Sequence, residues 1–235
     1  MERTLELLQQ GLAEYGLDEG KAPQLIHFAK LLLETNQVMN LTAITEPEAV
    51  ARLHLLDSAA LASLIPLEGK TVVDVGTGAG FPGMPLQILV PEARFTLLDS
   101  LGKRIRFLES CCQTLPLPQA RCVQARAEEY AREHRERFDY AVSRAVAALP
   151  VLCELALPMV RVGGAFLAMK SVDSDEEIRQ AKRAMAQLGG CLEAVRDYTI
   201  SGTQVQHRLV VIRKNSPTPH QFPRAFAKIK KSPLL

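Results

Sequence analysis

The chain has 235 residues, 47% hydrophobic and 23% charged, with 28 bases against 26 acids for a net charge of +2. This balance excludes a disordered or collagen-like chain, and the length suits one large domain, alone or with a small appendage. The greasiest stretch, Ala145 to Val160, contains Glu154 and two prolines and falls short of a membrane span, while Met1-Glu2-Arg3-Thr4 lacks a signal peptide's basic start, so a cytoplasmic protein is expected.

Residues 1–68 read as helical. Leu5, Leu8 and Leu12 recur at helical spacing, Leu25, Phe28 and Leu32 form a second stripe, and Gly16 and Gly20 bracket the break between them. Asn36 to Thr42 reads as a polar turn around Met39 and Leu41. Thr45-Glu46-Pro47-Glu48 has the form of a capping box: Thr45 accepts from a first-turn amide, Glu48 reaches back, and Pro47 sits where its missing N–H is tolerated. That helix is expected to run to about Leu64 and stop at Pro66.

After Gly69 the rhythm changes. Short apolar runs at Thr71–Val75, Arg94–Leu98, Ala120–Gln124, Tyr140–Ser143 and Ala165–Met169 alternate with stretches long enough for helices, as in βαβ units covering a parallel sheet. Gly163-Gly164 reads as a tight turn into the fifth run, and a charged helix from Asp175 to Leu188 ends at Gly189-Gly190. Leu192–Ile200 and Arg208–Arg213, joined at Ser201-Gly202, are close enough for a hairpin that sets an antiparallel strand on the sheet. Pro217, Pro219, Pro223 and Pro233 predict an extended tail. Three segments result: a helical extension (1–68), an α/β domain (69–213) and a basic tail (214–235).

The small net charge hides a pattern. Residues 1–70 carry five bases and ten acids, residues 71–212 are nearly balanced, and residues 213–235 carry six bases and no acid. Five cysteines (Cys111, Cys112, Cys122, Cys153 and Cys191) form no Cys-x-x-Cys pair, which argues against a zinc ribbon or disulfide framework and for reduced, mostly buried thiols. No metal is expected.

The strongest chemical signal is Val72-Val73-Asp74-Val75-Gly76-Thr77-Gly78-Ala79-Gly80-Phe81-Pro82-Gly83, which follows a strand and opens a helix. Glycines there let the backbone approach a ligand, with helix amides facing the crevice. A dinucleotide loop needs Gly-x-Gly-x-x-Gly, but Phe81 stands at the third glycine, and no Gly-Lys-Ser/Thr follows to make a P-loop. The Gly76-x-Gly78-x-Gly80 spacing fits S-adenosylmethionine, which has no phosphate, and Asp74 can hold the loop or the cofactor's ammonium. Asp99, ending the second strand, is placed for ribose hydroxyls, and Ala127-Glu128, after the third, for adenine.

The sequence resembles the RsmG (GidB) family of bacterial small-subunit ribosomal RNA methyltransferases. The similar stretches are Asn40-Leu41-Thr42, His54-Leu55-Leu56-Asp57-Ser58, Asp74 to Gly83, Leu97 to Leu108, Arg126-Ala127-Glu128 and Ser143-Arg144-Ala145. The resemblance runs through about Arg213. It implies a class I S-adenosylmethionine-dependent methyltransferase fold with an N-terminal helical extension, and N7 methylation of one guanosine of 16S ribosomal RNA near the decoding site. It also implies cofactor contacts at Gly76, Phe81, Asp99, Ala127, Glu128 and Arg144. Lys170-Ser171 stands where relatives often have Lys-Gly, and Ala227 and Ile229 replace a Gly and a Pro common in the family's tail.

The residue set is compatible with that chemistry. Guanine N7 has an in-plane lone pair and no proton, so in-line attack on a sulfonium methyl needs alignment rather than a general base. No Asn/Asp-Pro-Pro-Tyr/Phe motif for an exocyclic amine and no Pro-Cys for a pyrimidine carbon follows the fourth strand, which ends instead in Ser143-Arg144. Arg144 is the expected catalytic residue, pairing with the cofactor carboxylate or an RNA phosphate. His54 and Asp57 share one helix face and form a plausible wall of the cleft. Lys103, Arg104 and Arg106, with Arg224, Lys228, Lys230 and Lys231 of the tail, are the expected RNA contacts, on free 16S RNA, an assembly intermediate or the small subunit. On this basis, removing residues 215–235 weakens RNA binding and spares the cofactor. Aromatics are scarce (5%, no Trp), which disfavours broad stacking platforms. Competing readings are a methyltransferase of another RNA, a protein or a small molecule, a non-catalytic RNA-binding relative, and an NAD-dependent oxidoreductase. The last lacks the third glycine and a Tyr-x-x-x-Lys pair. Nothing in the sequence requires more than a monomer.

Overall fold

The computed structural model describes residues 2–235. The leucine stripes become α1 (Glu2–Glu14) and α2 (Ala22–Met39), which bury Leu8, Leu12, Leu25, Phe28 and Leu32. Helix α2 runs further than its polar end predicts. Asn36 is still helical, and its Oδ1 accepts from the amides of Leu41 and Thr42 at 2.6 and 2.9 Å, replacing the bonds lost where the helix ends at Asn40. Helix α3 (Pro47–Val50) is capped by Glu46 rather than Thr45: Pro47 takes the first helical position, so the residue before it accepts from the amides of Glu48 and Ala49. The helix widens into a π-turn over Ala51–Leu56 and resumes as α4 (Asp57–Leu64).

Strands β1 (Thr71–Val75), β2 (Arg94–Asp99), β3 (Ala120–Gln124), β4 (Phe138–Arg144), β5 (Val160–Ser171), β6 (Gly190–Thr199) and β7 (Gln206–Lys214) form one sheet in the order β3-β2-β1-β4-β5-β7-β6. The first five are parallel, and β7 runs antiparallel to both β5 and β6, as the hairpin spacing predicts. Gly163-Gly164 is not a turn before the fifth strand. β5 already begins at Val160, and the pair lies in a bulge where the register slips between Phe138↔Val160 and Tyr140↔Ala165.

Period-two alternation splits the strands between two cores. Val72, Phe95 and Leu97 join the N-terminal helices, α5 (Gly83–Leu89) and α6 (Gly102–Thr114) on one face. Val73, Val75 and Leu98 pack on the other face with α7 (Ala127–Glu133), α8 (Leu149–Ala156) and α9 (Asp175–Gln187). The first core is continuous from Leu8 to Leu97, so the helical extension is a layer over the sheet rather than a separately packed body.

The tail departs from expectation. It forms α10 (Phe226–Lys231), because its prolines leave residues 224–232 free to coil. Ile229 is fully buried, and Arg132 and Arg135 donate to the carbonyls of Pro223 and Phe222. The thiols also divide differently: Cys111 and Cys153 are buried, Cys112 and Cys122 half-buried, and Cys191 exposed. Among the described residues, no helix is long and apolar enough to cross a membrane.

Candidate active site

The order β2-β1-β4 reverses the direction of travel at β1, and a cleft of about 550 Å³ opens beyond the strand ends there, where doubly wound sheets bind ligands. Gly76, Gly78, Phe81, Asp99, Ala127, Glu128 and Arg144 all line it. These seven predicted residues come from several separate stretches of chain.

Asp74 is placed differently. It is fully buried beneath the loop, where Oδ2 accepts from Thr77 Oγ1 at 2.7 Å and from the Gly83 amide at 2.9 Å. It therefore shapes the loop and does not reach the cleft. Burial pushes its carboxyl up to about 6 against the lowering effect of those two hydrogen bonds. Gly83 takes the close-packing role of a dinucleotide loop's third glycine, two positions later: a Cβ there would lie 2.3 Å from Leu97 Cδ2. Gly78, at φ +61, lines the cleft, and a Cβ on it would meet nothing nearer than 3.9 Å, so its bare backbone opens to a ligand.

The loop amides are mostly committed within the protein. Those of Gly76 and Thr77 donate to Leu98 O, those of Gly80 and Phe81 to Thr77 O, and that of Gly78 to Asp99 Oδ2 at 3.0 Å. The expected row of amides facing the crevice is thus not formed, and of the amides from Gly76 to Phe81 only that of Ala79 has no partner among the described residues. Asp99 also accepts from the Leu101 amide at 2.9 Å and Arg104 at 3.2 Å. Arg126 Nε holds the Glu128 carboxylate at 2.6 Å.

Arg144 is one of three arginines that line the cleft, with Arg104 and Arg126. It ends β4, lines the cleft, and lies 4.9 Å over the Phe81 ring. Its Nη1 donates to Asp57 Oδ2 at 2.8 Å and to Leu53 O at 3.2 Å, and Nη2 approaches His54 Nδ1 at 3.2 Å. His54 Nδ1 also lies 3.1 Å from Leu53 O, so its two neighbours call for opposite tautomers: where Nδ1 accepts from the guanidinium, which can only donate, the ring proton sits on Nε2, 2.9 Å from Thr42 Oγ1. Burial first and the Arg144 charge second depress His54 to about 4, keeping it neutral. Its ring stacks on Phe81 at 4.6 Å.

Asp57 is the hub behind this arrangement. Its Oδ1 accepts from Tyr198 Oη at 2.9 Å and His207 Nδ1 at 2.8 Å. Burial works to raise its pKa, but the His207 hydrogen bond and the Arg144 charge outweigh it and hold the carboxyl below its ordinary range. His207 is raised in return, chiefly by the Asp57 hydrogen bond. Sequence alone does not single out Tyr198 and His207; their one signal is position on the predicted hairpin, which carries no chemistry by itself.

Residues 21–206 match the family described as rRNA small subunit methyltransferase G (GidB). The chain belongs to that family. It is 44% identical over 233 residues to the ribosomal RNA small subunit methyltransferase G of Alkaliphilus metalliredigens, covering 97% of this chain and 98% of that one. The protein of the same name from Clostridium botulinum strain ATCC 19397 is 42% identical over 233 residues, with the same coverage. In structure the chain is similar to an O-methyltransferase from Bacillus cereus in complex with SAH: TM-score 0.56, 17% identity, covering 80% of this chain and 91% of that one. That similarity shows a class I methyltransferase fold.

In this rRNA small subunit methyltransferase G family member, the predicted RNA contacts fall into two groups. Lys103 and Arg106 on α6 and Lys228, Lys230 and Lys231 on α10 are exposed. Arg104 turns into the cleft onto Asp99. Arg224 is an anchor: its guanidinium and amide bind Glu154, which is fully buried. Two further tail bases are also committed, Arg213 to Glu193 and the fully buried Lys214 to Leu157 O. Among the described residues, three of the six charges therefore have no partner within the protein: Lys228, Lys230 and Lys231.

Proposed function

We propose that this protein transfers a methyl group from S-adenosylmethionine to N7 of a specific guanosine in 16S ribosomal RNA, by in-line attack without a general base. The observation that carries this reading is that, among the described residues, no unengaged proton acceptor lines the cleft around Arg144. Both ring nitrogens of His54 are engaged, and Arg144 is permanently charged. Asp99 and Glu128 lie at the nucleoside end, where Arg126 holds Glu128 and three donors already reach Asp99, leaving Oδ1 room for one more. An acceptor with its own lone pair and no proton to lose is the substrate such a site can serve.

The cleft suits the cofactor by its chemistry. Gly78 leaves backbone open to the ligand, Asp99 offers a buried carboxylate for ribose, and Ala127 is small enough to leave room for a purine. Three of Arg144's five N–H donors are used within the protein, and the others are left for the cofactor carboxylate, to which most of the loop amides are closed. When bound, the cofactor supplies an electrophilic methyl on a sulfonium. Phe81, fixed by His54 and Arg144, then forms a rigid floor beside the reacting atoms. The family name of the relatives and the SAH in the Bacillus cereus neighbour support this reading. The RNA approaches across Lys103, Arg106 and the α10 lysines.

The test is to map modified guanosines in 16S ribosomal RNA from cells with and without the gene. Loss of one N7-methylguanosine, restored by the purified protein and S-adenosylmethionine, is expected. An unchanged pattern refutes the substrate.

A further inference from the structure

We infer that the C-terminal helix is part of the cofactor site, with Phe226 forming the apolar wall against which the adenine ring of the adenosyl cofactor seats. The inference rests on the S-adenosylmethionine reading above and adds to it a binding residue from the tail.

Phe226 is the first residue of α10 and lines the cleft together with Ala125, Ala127, Val146 and Leu155. Ala125, Ala127, Leu155 and Phe226 share one apolar cluster, whereas Thr42, His54 and Arg144 meet in a polar one. The apolar cluster adjoins Glu128 and the strand end of β3, one strand beyond the Asp99 carboxylate. A ligand with its ribose at Asp99 therefore places its base at this end. A purine is a flat apolar surface with a polar edge, and an aromatic ring beside it contributes both area and stacking.

The ring is held in place from two sides. The Arg126 guanidinium lies 4.6 Å over it while Arg126 Nε grips Glu128 at 2.6 Å, so the residue flanking Ala127 also fixes Phe226. Behind it, Arg224 donates to buried Glu154 from Nε, Nη2 and its amide at 2.8, 2.6 and 2.9 Å. Ile229, fully buried one helical turn later on the same face, holds α10 down beside it. A tail serving only as a flexible basic arm would need none of these contacts. The same helix carries Lys228, Lys230 and Lys231 on its exposed side, so it joins the cofactor cleft to the basic surface.

The protein contains no tryptophan, which supplies a direct test. Phe226→Trp in the full chain introduces a single indole reporter whose emission is expected to change on titration with S-adenosylhomocysteine. By calorimetry, Phe226→Ala is expected to weaken S-adenosylhomocysteine about tenfold and adenosine by the same factor. Phe226→Leu, which keeps the packing of α10 but removes the ring, is expected to weaken both several-fold at an unchanged melting temperature. Wild-type affinity in both the alanine and leucine variants, with a silent indole, overturns the inference. So does weaker RNA binding with S-adenosylhomocysteine affinity intact, which would make Phe226 an RNA contact. Failure of the unaltered protein to bind S-adenosylhomocysteine is a separate result that overturns the cofactor reading itself.

Discussion

Asp57 and Arg144 meet at 2.8 Å across 87 positions of chain, joining the helical extension to the end of the fourth strand. Asp57 is 1% exposed at the side chain and Arg144 14%, so the pair is shielded from solvent on both sides. The extension is therefore more than a cover over the sheet. It supplies the counter-charge that fixes the Arg144 cation in the cleft, and Tyr198 and His207 lock that counter-charge from the hairpin.

Arg144→Ala is expected to abolish methyl transfer while the protein stays folded, because Tyr198 and His207 still satisfy Asp57. Asp57→Ala is expected to cost about 3 kcal/mol in stability as well, since it leaves a shielded guanidinium without its partner. Transfer of a labelled methyl group to ribosomal RNA and denaturant unfolding measure the two effects separately. Near-normal turnover in Arg144→Ala removes that residue from the site.

Asp74 and His54 have opposite pH signatures. Asp74 is raised from 3.8 to about 6, so the folded state binds the extra proton and its contribution to stability is lost as pH rises from about 4 to 6. His54 is lowered from 6.5 to about 4, so the unfolded state binds the extra proton and stability is gained as pH rises through nearly the same window. Each swing is about 3 kcal/mol, and in the unaltered protein they largely cancel. Asp74→Asn is expected to make stability climb between pH 4 and 6, and His54→Gln to make it fall. Urea unfolding of both variants across that range decides it; slopes of the same sign refute the assignment.

The parts of the site that are legible in the sequence are those carried by short local patterns. The glycine loop, Asp99 at a strand end, Ala127-Glu128 at the next and Ser143-Arg144 each announce themselves within a few residues, and the parallel strand order brings them together. Contacts that only topology creates are illegible. Tyr198 and His207 reach Asp57 across 141 and 150 positions because β7 inserts between β5 and β6. The tail misleads for a different reason. Counting prolines ignores their spacing, and a proline-free stretch containing Phe226, Ile229 and a ready partner for Glu154 coils as soon as it has a surface to pack on. Summed charge misleads likewise, since Arg213, Lys214 and Arg224 are engaged in the folded protein.

Arg224 is accordingly expected to behave as a structural residue. Arg224→Ala leaves the Glu154 carboxylate at full burial with only an amide donor, a defect of about 3–5 kcal/mol. The double variant Glu154→Leu/Arg224→Leu removes both charges and is expected to recover most of that loss. Thermal denaturation of both variants beside the parent measures the loss and its recovery. A single variant as stable as the parent breaks the picture of an anchored tail. The same contacts mean that deleting residues 215–235 is no clean test of RNA binding, because it removes this anchor and Phe226 together.

The clean test neutralises charge without disturbing packing. Lys228, Lys230 and Lys231 are exposed and take part in no ion pair among the described residues, so changing all three to Gln leaves the anchors of α10 intact. If they contact phosphate, each releases counterions on binding, and log Kd against log salt is expected to flatten by about 2 for the triple variant. Affinity for S-adenosylhomocysteine is expected to stay within about twofold, because these side chains point away from the buried face that carries Ile229. Filter binding to 16S ribosomal RNA between low and moderate salt gives the slope. An unchanged slope would place the RNA elsewhere, with Lys103 and Arg106 on α6 as the next exposed cations beside the cleft to neutralise.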